Sequence, residues 1–410
     1  MRRSELEAHL LVLVTLGLVA FGLVMVYSAT SAPAAIGRGD PSTYLKRQAA
    51  YALIGVALLV VLARTDYHLL RKLAPSLVAA SIVLCAAVLV LGDPVNGARR
   101  WLSYGPATFQ PGELAKLALA SWAAIHLTRR PPRTLGDLAR PLGLLAAIVC
   151  GLVLLEPDLG TAVVIAVLLG AMLVVAGTPG RVLAAAGTIV FAVALVAIWL
   201  EPYRRERVFS FLNPWDDSQG AGFQTVQAMI GLGSGGVFGV GLGEGVNKIF
   251  YLPEAHTDMI LAVVGEELGL VGTAAVIGAF AVFAWVAFRI ALACRDPFGK
   301  FLAAGLGALV CGQAAINLAA VLGLAPLTGI PLPFVSYGGS NLVVALASVG
   351  TLLNIAGSDG RATRSRLPDR ERGDRRPRAA VARGRRGADG ARSPRDVRRV
   401  AGSRRSQARS

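Results

Sequence analysis

Long apolar segments recur along this chain, and they constrain its fold more than any other feature. Ten of them, most about 18 residues or longer, lie between residues 9 and 356. A helix rises about 1.5 Å per residue, so such a segment can cross a hydrocarbon core of roughly 30 Å. Because lipid offers the backbone no hydrogen-bond partner, a spanning segment must be a helix. With 54% hydrophobic and 16% charged residues, the sequence predicts an all-α polytopic membrane protein with about ten transmembrane helices.

The ten predicted helices differ in length. The second and fifth are short for a full span, whereas the eighth is long enough to tilt or break. The first is not followed by a small-residue cleavage site, which predicts a retained helix and not a signal peptide. The segments are residues 9–28, 49–64, 75–92, 113–128, 141–156, 158–177, 182–200, 257–289, 300–323 and 338–356.

Lysine and arginine are divided unevenly between the two sets of loops, and this predicts the orientation of the chain. With a cytoplasmic N-terminus the inner loops hold most of the basic residues, and ten spans return the C-terminus to the same side. The outer loops hold fewer, and these lie in distinctive places: Arg99, Arg100, Arg204, Arg205, Arg207 and Lys248.

The net charge of +16 comes mostly from the C-terminal segment, where residues 359–410 hold 18 arginines and 6 acidic residues. This segment has few large apolar side chains and cannot bury a core. It is therefore predicted to be a disordered cytoplasmic tail after a transmembrane domain of residues 1–358. The tail is expected to contact anionic lipid or a protein partner. No aromatic residues alternate with its arginines, which argues against nucleic acid.

Cysteine and histidine give no sign of a metal centre. The chain has four residues of each type. No pair of cysteines has metal-ligand spacing, and none indicates an extracellular disulfide framework. The sequence therefore assigns no metal ligand.

Polar residues cluster in five places that nearly all face outward in this topology. The first cluster contains Arg99 and Arg100, followed by Glu113 and Lys116 at the start of the fourth helix. Glu113 lies in the first turn, where a carboxylate stabilises the helix dipole. It shares a helix face with Lys116, three residues further on. The two are either a helix-capping ion pair or part of a substrate-binding site.

The second cluster is the turn Glu156-Pro-Asp158 between the fifth and sixth helices. Asp158 is placed to cap the next helix. The alternative is that the two acids meet Arg100 or Lys116 from another helix, or hold a divalent cation.

The third cluster is the long outer loop, residues 201–256, between helices 7 and 8. Its segment 231–245 contains eight glycines in fifteen residues. The spacing resembles a dinucleotide fingerprint, but no strand precedes it, so we reject that reading. The segment is either a re-entrant loop whose amides cradle a phosphate or a flexible loop.

The fourth cluster lies at the start of the eighth helix and has the highest density of ionisable residues. Glu254, His256, Thr257 and Asp258 come first, and two further glutamates follow about two turns later. A charge at membrane depth costs roughly 2.5–3.5 kcal/mol on insertion scales. Pairing with an arginine of another span would offset that cost for Asp258. The density of charges favours chemistry instead, with Asp258 as the candidate base.

The fifth cluster is a proline-rich segment, residues 326–341, before the tenth helix. Three prolines exclude a continuous helix, which predicts a re-entrant or broken segment that dips into or caps the bundle. Ser336, Tyr337 and nearby backbone amides would supply hydrogen-bond donors. Gln313 and Asn317, on the preceding helix, are expected to line the same cavity.

Three of these motifs together resemble the SEDS family (shape, elongation, division, sporulation). They are residues 109–116, 251–267 and 327–339, and the resemblance extends over residues 10–356. The runs 24–28, 44–48 and 238–243 favour the division branch over the elongation branch. The resemblance implies a peptidoglycan glycosyltransferase of the bacterial cytoplasmic membrane, which polymerises lipid II on the outer face in cell division, elongation or sporulation.

The resemblance also singles out Asp258, the residue favoured by charge density alone. A carboxylate could accept the proton of an acceptor sugar hydroxyl as it attacks the anomeric carbon of a lipid-linked donor, inverting that centre. The leaving pyrophosphate needs positive partners. The candidates are Arg100, Lys116, Arg99 and Lys248, with a divalent cation (Mg²⁺ or Mn²⁺) as the alternative. Glu113 and Asp158 would orient the cations. The other predicted substrate-binding residues are Glu254, His256, Thr257, Asn317, Ser336 and Tyr337.

Two other functions remain open from the sequence. A lipid II flippase would also use broken helices and intramembrane charges, although here the charges cluster at one face and no inverted repeat is evident. A non-catalytic scaffold would recruit a penicillin-binding protein through its spans. The resemblance implies such a partner in any case, a monofunctional class B transpeptidase, together with other division or elongation proteins.

Overall fold

Long helices packed side by side make up most of the chain. A computed structural model describes residues 3–35, 41–95, 98–105, 107–220, 222–250 and 255–365. A π-helical turn at Ala139–Gly143 joins α5 to α6. The helices are α1 (Arg3–Ala35), α2 (Pro41–Arg64), α3 (His68–Leu91), α4 (Pro111–Arg129), α5 (Leu135–Leu138), α6 (Leu144–Leu155), α7 (Leu159–Val175), α8 (Gly180–Leu200), α9 (Pro202–Leu212), α10 (Phe223–Ser234), α11 (Asn247–Phe250), α12 (Ile260–Ala293), α13 (Pro297–Val321) and α14 (Gly339–Ser365).

Eight helical stretches of the described residues are long and apolar enough to cross a membrane. Two further helices occupy the other predicted spans. α7 is apolar but has only 17 residues, and α4 carries Glu113 and Lys116. Both pack inside the bundle, where α13 contacts each of them. Every predicted span is thus helical, and the polytopic membrane fold is confirmed.

Helices α13 and α14 lie at the centre of the bundle. In their most apolar stretches, 72% and 78% of the residues are buried, against 11% in α8. α13 contacts α4, α7, α12 and α14, whereas α8 contacts mainly α7 and α9. α8 therefore lies at the edge of the bundle, whereas α13 and α14 are enclosed by other helices.

The two helices predicted to be short are full-length, because polar residues extend them. α2 begins at Pro41 and not near residue 49. Its first turns are retained by contacts with other loops, since Gln48 Nε2 donates to the carbonyl of Ser336 at 3.0 Å. The fifth span begins at Leu135, where Thr134 and Asp137 form a capping box.

A small antiparallel sheet, which the sequence did not predict, lies between α3 and α4 in the otherwise helical fold. β1 (Asp93–Val95) pairs with β2 (Ala98–Tyr104), which pairs with β3 (Ala107–Phe109). The turn between β2 and β3 contains Gly105 at φ +59. Helix is obligatory only inside lipid, so a loop outside it is free to form a hairpin. Hydropathy identifies segments that lie in lipid, so it does not predict a hairpin in a loop outside the membrane.

Helix α12 is broken, as its predicted length allowed. Gly269 has φ +66 and ψ −159 inside the helix. The glycine-rich segment packs at this break: the amides of Val240 and Gly241 donate to the carbonyls of Glu266 and Glu267 at 3.0 and 3.1 Å. These two amides are engaged within the protein, so they cannot form the phosphate cradle that the sequence allowed.

Substitution of Gly269 by alanine is expected to destabilise the protein. The backbone conformation is nearly restricted to glycine, at a cost of about 1–3 kcal/mol for other residues. An added Cβ would also lie 2.4 Å from the amide nitrogen of Gly239. Gly278→Ala, in the same helix, is the matched control because no atom lies within 4 Å of its Cβ position. Thermal unfolding in detergent should show a lower Tm for Gly269→Ala alone. Equal Tm values would mean that the break tolerates a side chain.

The loops at one end of the bundle converge through hydrogen bonds. The Gln110 amide donates to Ser340 Oγ at 3.0 Å, and its side chain donates to Asp158 Oδ2 at 3.1 Å. The Tyr337 amide donates to the carbonyl of His256 at 2.8 Å. The predicted loop between helices 7 and 8 contains α9, α10 and α11 and meets the same end. The polar clusters of the sequence are therefore gathered at one end of the bundle.

At the C-terminus, α14 continues to Ser365. It thus extends seven residues into the segment predicted to be disordered. The remainder of the predicted tail lies outside the described residues.

Candidate active site

Asp258 lies in the turn immediately before α12. Its carboxylate accepts a hydrogen bond from Thr257 Oγ1 at 3.1 Å, and its carbonyl accepts one from Asn317 Nδ2 at 2.7 Å. Asn317 also donates to the carbonyl of Ile330 at 2.8 Å. A buried amide of central helix α13 thus holds both Asp258 and the proline-rich loop. Asn317, which the sequence placed in the same site, therefore contacts both Asp258 and the proline-rich loop.

One residue outside the predicted site, Arg207 of α9, lies beside Asp258. A Cβ atom built on Gly329 would be 3.6 Å from Arg207 Nη1 and 4.0 Å from Asp258 Oδ2. Nη1 also donates to the carbonyl of Leu327 at 3.2 Å. The cation and the carboxylate therefore both lie next to one glycine of the proline-rich loop. The only sequence signal for Arg207 was its membership of a basic run in an outer loop.

Ser336 and Tyr337, both predicted to bind substrate, differ in what their side chains contact. Ser336 is buried, and its hydroxyl accepts a hydrogen bond from the Leu332 amide at 2.8 Å. This hydroxyl helps to close the turn of the proline-rich loop. The Tyr337 ring packs against those of His256 and Tyr44, with centroids 5.4 and 5.3 Å apart. Tyr337 is therefore part of an aromatic group that borders the turn carrying Asp258.

His256 is partly buried in this aromatic group. Burial lowers the pKa of His256 to about 4, because desolvation disfavours the imidazolium. The imidazole is therefore neutral at physiological pH. It cannot supply positive charge to an anionic substrate, although it remains able to form hydrogen bonds.

Arg100 and Asp158 both contribute to the α6–α7 turn, but among the described residues no ion pair joins Arg100 to either acid of that turn. Arg100 donates to the carbonyls of Glu156 and Pro157 at 3.0 and 2.6 Å. Asp158 caps α7 by accepting from the amide and hydroxyl of Thr161 at 2.9 and 2.8 Å. Arg100 thus binds main-chain oxygens here, while Asp158 serves as the predicted cap.

Glu113 and Lys116 form a buried ion pair, with Lys116 Nζ 2.7 Å from Glu113 Oε1. Lys116 also donates to Gln313 at 3.0 Å, and Glu113 accepts from Asn341 at 3.2 Å. Gln313 in turn donates to the carbonyl of Pro331 at 3.1 Å. This network joins α4, α13 and α14 to the proline-rich loop, so both charges are already paired.

Lys248 is also paired inside the protein. Its ammonium lies 2.6 Å from Glu267 Oε1 and donates to Ser28 Oγ at 3.1 Å. Glu266, one residue before, accepts from the amides of Val246 and Asn247 at 2.8 and 3.2 Å. The two glutamates of α12 thus bind the outer loop and α1, and neither contacts Asp258 in these bonds.

Arg99 and Glu254 were also predicted to bind substrate. Arg99 is exposed on β2, and its guanidinium donates to the carbonyls of Leu89 and Val90 at the end of α3. Glu254 lies outside the described residues. Among the residues that the structure does describe, no group of three or more His, Cys, Asp or Glu side chains could hold a metal ion.

Glu156 has an unusual environment for a carboxyl group. It is 1% exposed, and no N–H or O–H donor of the described residues reaches either oxygen. Burial raises the pKa of Glu156 to about 7; the Cys85 thiol and Arg100 offset this only in part, while Asp158 adds to it. Between pH 4.5 and about 7 the folded protein therefore binds a proton that the unfolded chain releases, and its stability falls as the pH rises.

Replacing Glu156 with glutamine is expected to remove this pH dependence. The variant should lose less thermal stability than the wild type between pH 5 and 8. Its Tm at pH 8 should be higher by an amount on the order of a few °C. Glu201→Gln is the control, because Glu201 is exposed. Parallel Tm–pH curves for the wild type and Glu156→Gln would contradict the expectation.

The fold and the site together define a class: a polytopic membrane protein with an aspartate, an arginine and aromatic side chains gathered at one end of its bundle. The profile of the FtsW/RodA/SpoVE cell cycle proteins matches residues 8–360. The chain belongs to this family, and the resemblance drawn from the motifs is confirmed.

Curated relatives cover almost the same region. The probable peptidoglycan glycosyltransferase FtsW of Trichlorobacter lovleyi is 42% identical over 359 residues, which are 87% of this chain and 94% of that protein. Stage V sporulation protein E of Bacillus subtilis is 38% identical over 352 residues, covering 85% and 96%. The more similar relatives carry the FtsW name, which supports the predicted division branch.

Solved structures show the same architecture. One comes from work on the structural coordination of polymerization and crosslinking by a peptidoglycan synthase complex; it is 35% identical, with a TM-score of 0.72, covering 85% of this chain and 97% of that one. The crystal structure of the rod shape determining protein RodA of Thermus thermophilus is 32% identical, with a TM-score of 0.64, covering 85% and 96%.

Proposed function

We propose that this protein is a peptidoglycan glycosyltransferase that polymerises lipid II into glycan strands, with Asp258 as the general base. The observation that carries the proposal is the position of Asp258 beside Arg207 and Gly329, at the end of the bundle where the loops converge. FtsW-type relatives aligned over 87% of the chain support the reaction class.

In the proposed reaction, the 4-hydroxyl of an acceptor sugar attacks the anomeric carbon of a lipid-linked donor. Asp258 accepts the hydroxyl proton, the new bond forms to the anomeric carbon, and the bond to the lipid diphosphate breaks. Because this is a single displacement, the α linkage of the donor becomes β in the product. Thr257 donates to the carboxylate, and Asn317 fixes the backbone of Asp258. Such positioning is what a base needs to act on a bound substrate.

The surroundings of the base have proposed roles as well. Arg100 and Asp158 orient the α6–α7 turn through backbone contacts. The ion pair of Glu113 and Lys116 fixes the loop opposite Asp258 through Gln313. These residues would preorganise the site, since an electrostatic site acts best when its groups do not have to move.

The protein acts, in this proposal, in the bacterial cytoplasmic membrane with both termini in the cytoplasm and the site on the outer face. Basic residues of the predicted inner loops support this orientation. The expected partner is a class B penicillin-binding protein, since polymerised glycan must be crosslinked. A relative of known structure comes from a complex that coordinates the two activities.

Polymerisation of purified lipid II tests the function. The protein would be assayed alone and with its transpeptidase partner, the partner's own active site being disabled. Long glycan strands on gels would support the proposal. A complex that is intact and yields no strands, but moves lipid II across vesicle membranes, would replace it with the transporter function.

A further inference from the structure

The chemistry proposed for Asp258 requires a cation for the leaving diphosphate, and most of the predicted cations are occupied. Lys116 and Lys248 are each paired with a buried glutamate at 2.7 and 2.6 Å. His256 is neutral because burial lowers its pKa to about 4. Arg100 keeps its charge, but its guanidinium donates to two main-chain carbonyls of the α6–α7 turn, and no contact among the described residues places it beside Asp258. A cation that lies beside Asp258 would be better placed for the leaving group.

Arg207 has the geometry of such a partner. Its guanidinium stacks on the Tyr203 ring, 4.6 Å from the centroid, and Nη1 donates to a neutral carbonyl, that of Leu327. Stacking on a ring and bonding to a carbonyl fix the plane of the guanidinium without neutralising its charge. A planar, fixed guanidinium matches the oxygens of a phosphate better than an ammonium does.

Arg207 and Asp258 both lie close to Gly329, and a single displacement can use two such groups around one reacting carbon. In this reaction the base and the leaving group are on opposite sides of the anomeric carbon. A Cβ built on Gly329 would lie 3.6 Å from Arg207 Nη1 and 4.0 Å from Asp258 Oδ2, so both groups border the space beside this glycine, which a side chain would occupy.

The expected depth of Arg207 relative to the membrane surface also suits a lipid-linked diphosphate. The helix and turn that carry it expose large apolar side chains, with Phe209 60%, Leu212 70% and Trp215 60% exposed. Such a segment lies at a membrane surface, with its apolar residues in the acyl boundary. A polyprenyl chain would remain in the membrane beside it, and the attached diphosphate would be at the depth of the guanidinium.

We infer that Arg207 binds the diphosphate of the polyprenyl-linked sugar donor, with the anomeric carbon above Gly329, between Arg207 and Asp258. This inference rests on the proposed polymerase function. When the bond from the anomeric carbon to the diphosphate oxygen breaks, its electron pair leaves with the lipid diphosphate, and Arg207 stabilises the added charge. The acceptor proton goes to Asp258.

Binding of undecaprenyl diphosphate to the full-length protein in detergent tests the inference. Arg207→Gln should weaken this binding by ~10–100-fold, the usual effect of losing a charge-assisted hydrogen-bonded pair. The affinity of Arg207→Lys for undecaprenyl diphosphate should lie between those of the wild type and Arg207→Gln, because lysine keeps the charge but cannot donate two parallel hydrogen bonds. Binding of undecaprenyl monophosphate should weaken less in both variants. In the lipid II assay, Arg207→Gln should raise KM and lower kcat.

Arg205→Gln is the matched control, since it removes the same charge from the same helix, where Arg205 stacks on Trp199 at 5.8 Å. It should bind both lipids like the wild type. Thermal unfolding shows whether each variant is folded. If Arg207→Gln does not fold, the binding test is made with Arg207→Lys instead.

The possible outcomes separate the two proposals. If wild type polymerises lipid II and folded Arg207 variants bind undecaprenyl diphosphate within ~2-fold of it, the inference is wrong and the function stands. An equal loss in Arg205→Gln would also overturn the inference, because the effect would then be one of net charge. If the wild type forms no glycan strands but its binding of undecaprenyl diphosphate depends on Arg207, the diphosphate site is supported and the polymerase function is contradicted.

Discussion

Asp258→Asn is expected to abolish glycan polymerisation while leaving the protein folded. Asparagine has nearly the same shape, and its carbonyl oxygen can still accept the hydrogen bond that Thr257 donates. The contact from Asn317 is to the backbone of residue 258 and survives the change. What is lost is the ability to take a proton. General base catalysis contributes roughly 10²–10⁴-fold, so strand formation should fall at least ~100-fold.

The control for this variant is Asp216→Asn. Asp216 lies in the same outer loop, is exposed and is bound by the side chain of Asn213, so the substitution repeats the chemistry away from the site. Rates would be compared at matched folding and matched partner binding. If Asp258→Asn retained a tenth of wild-type activity or more, Asp258 would not be the base, and Glu113 and Asp158 would be tested next.

Lys116→Met is expected to cause the largest loss of stability of any single change considered. It would leave the carboxylate of Glu113 buried without its cation, with Asn341 as its described donor. Removing one partner of a buried ion pair costs about 3–5 kcal/mol, because the remaining charge is uncompensated. The folded fraction and Tm in detergent should both fall sharply.

Adding Glu113→Gln to Lys116→Met should restore much of the lost stability. With both charges removed, no buried carboxylate remains to be desolvated. A double-mutant cycle on Tm and denaturant midpoints measures the coupling between the two residues. A Lys116→Met protein that was as stable as the wild type, but bound lipid II weakly, would instead assign Lys116 to the substrate. That result would decide between the alternatives that the sequence left open for this pair.

Much of the fold could be predicted from the sequence because the constraint imposed by lipid is local. Any run of about 20 apolar residues must satisfy its own backbone, and this depends only on the run itself. The broken segment before α14 follows from its three prolines, and the break in α12 was allowed by its length. The sheet between α3 and α4 was missed, since that loop lies outside the region where hydropathy restricts the backbone.

The candidate site was only partly predictable. Charge density pointed to Asp258 directly, because the residues around it are adjacent in sequence. The partners of the other charges could not be found this way. Lys248 pairs with Glu267 and Ser28, the latter 220 residues away, and Arg207 donates to a carbonyl 120 residues away.

The sequence by itself therefore determined the membrane class and the helical segments, and it predicted the outer face as the side of the polar clusters and Asp258 as the base. Only the tertiary structure decided which cations pair with buried glutamates and which one lies beside Asp258. The physical reason is that hydropathy and helix formation depend on neighbours along the chain. Pairing of buried charges depends on which distant segments pack together, because a charge in a low-dielectric interior must find its partner wherever the fold brings one within reach.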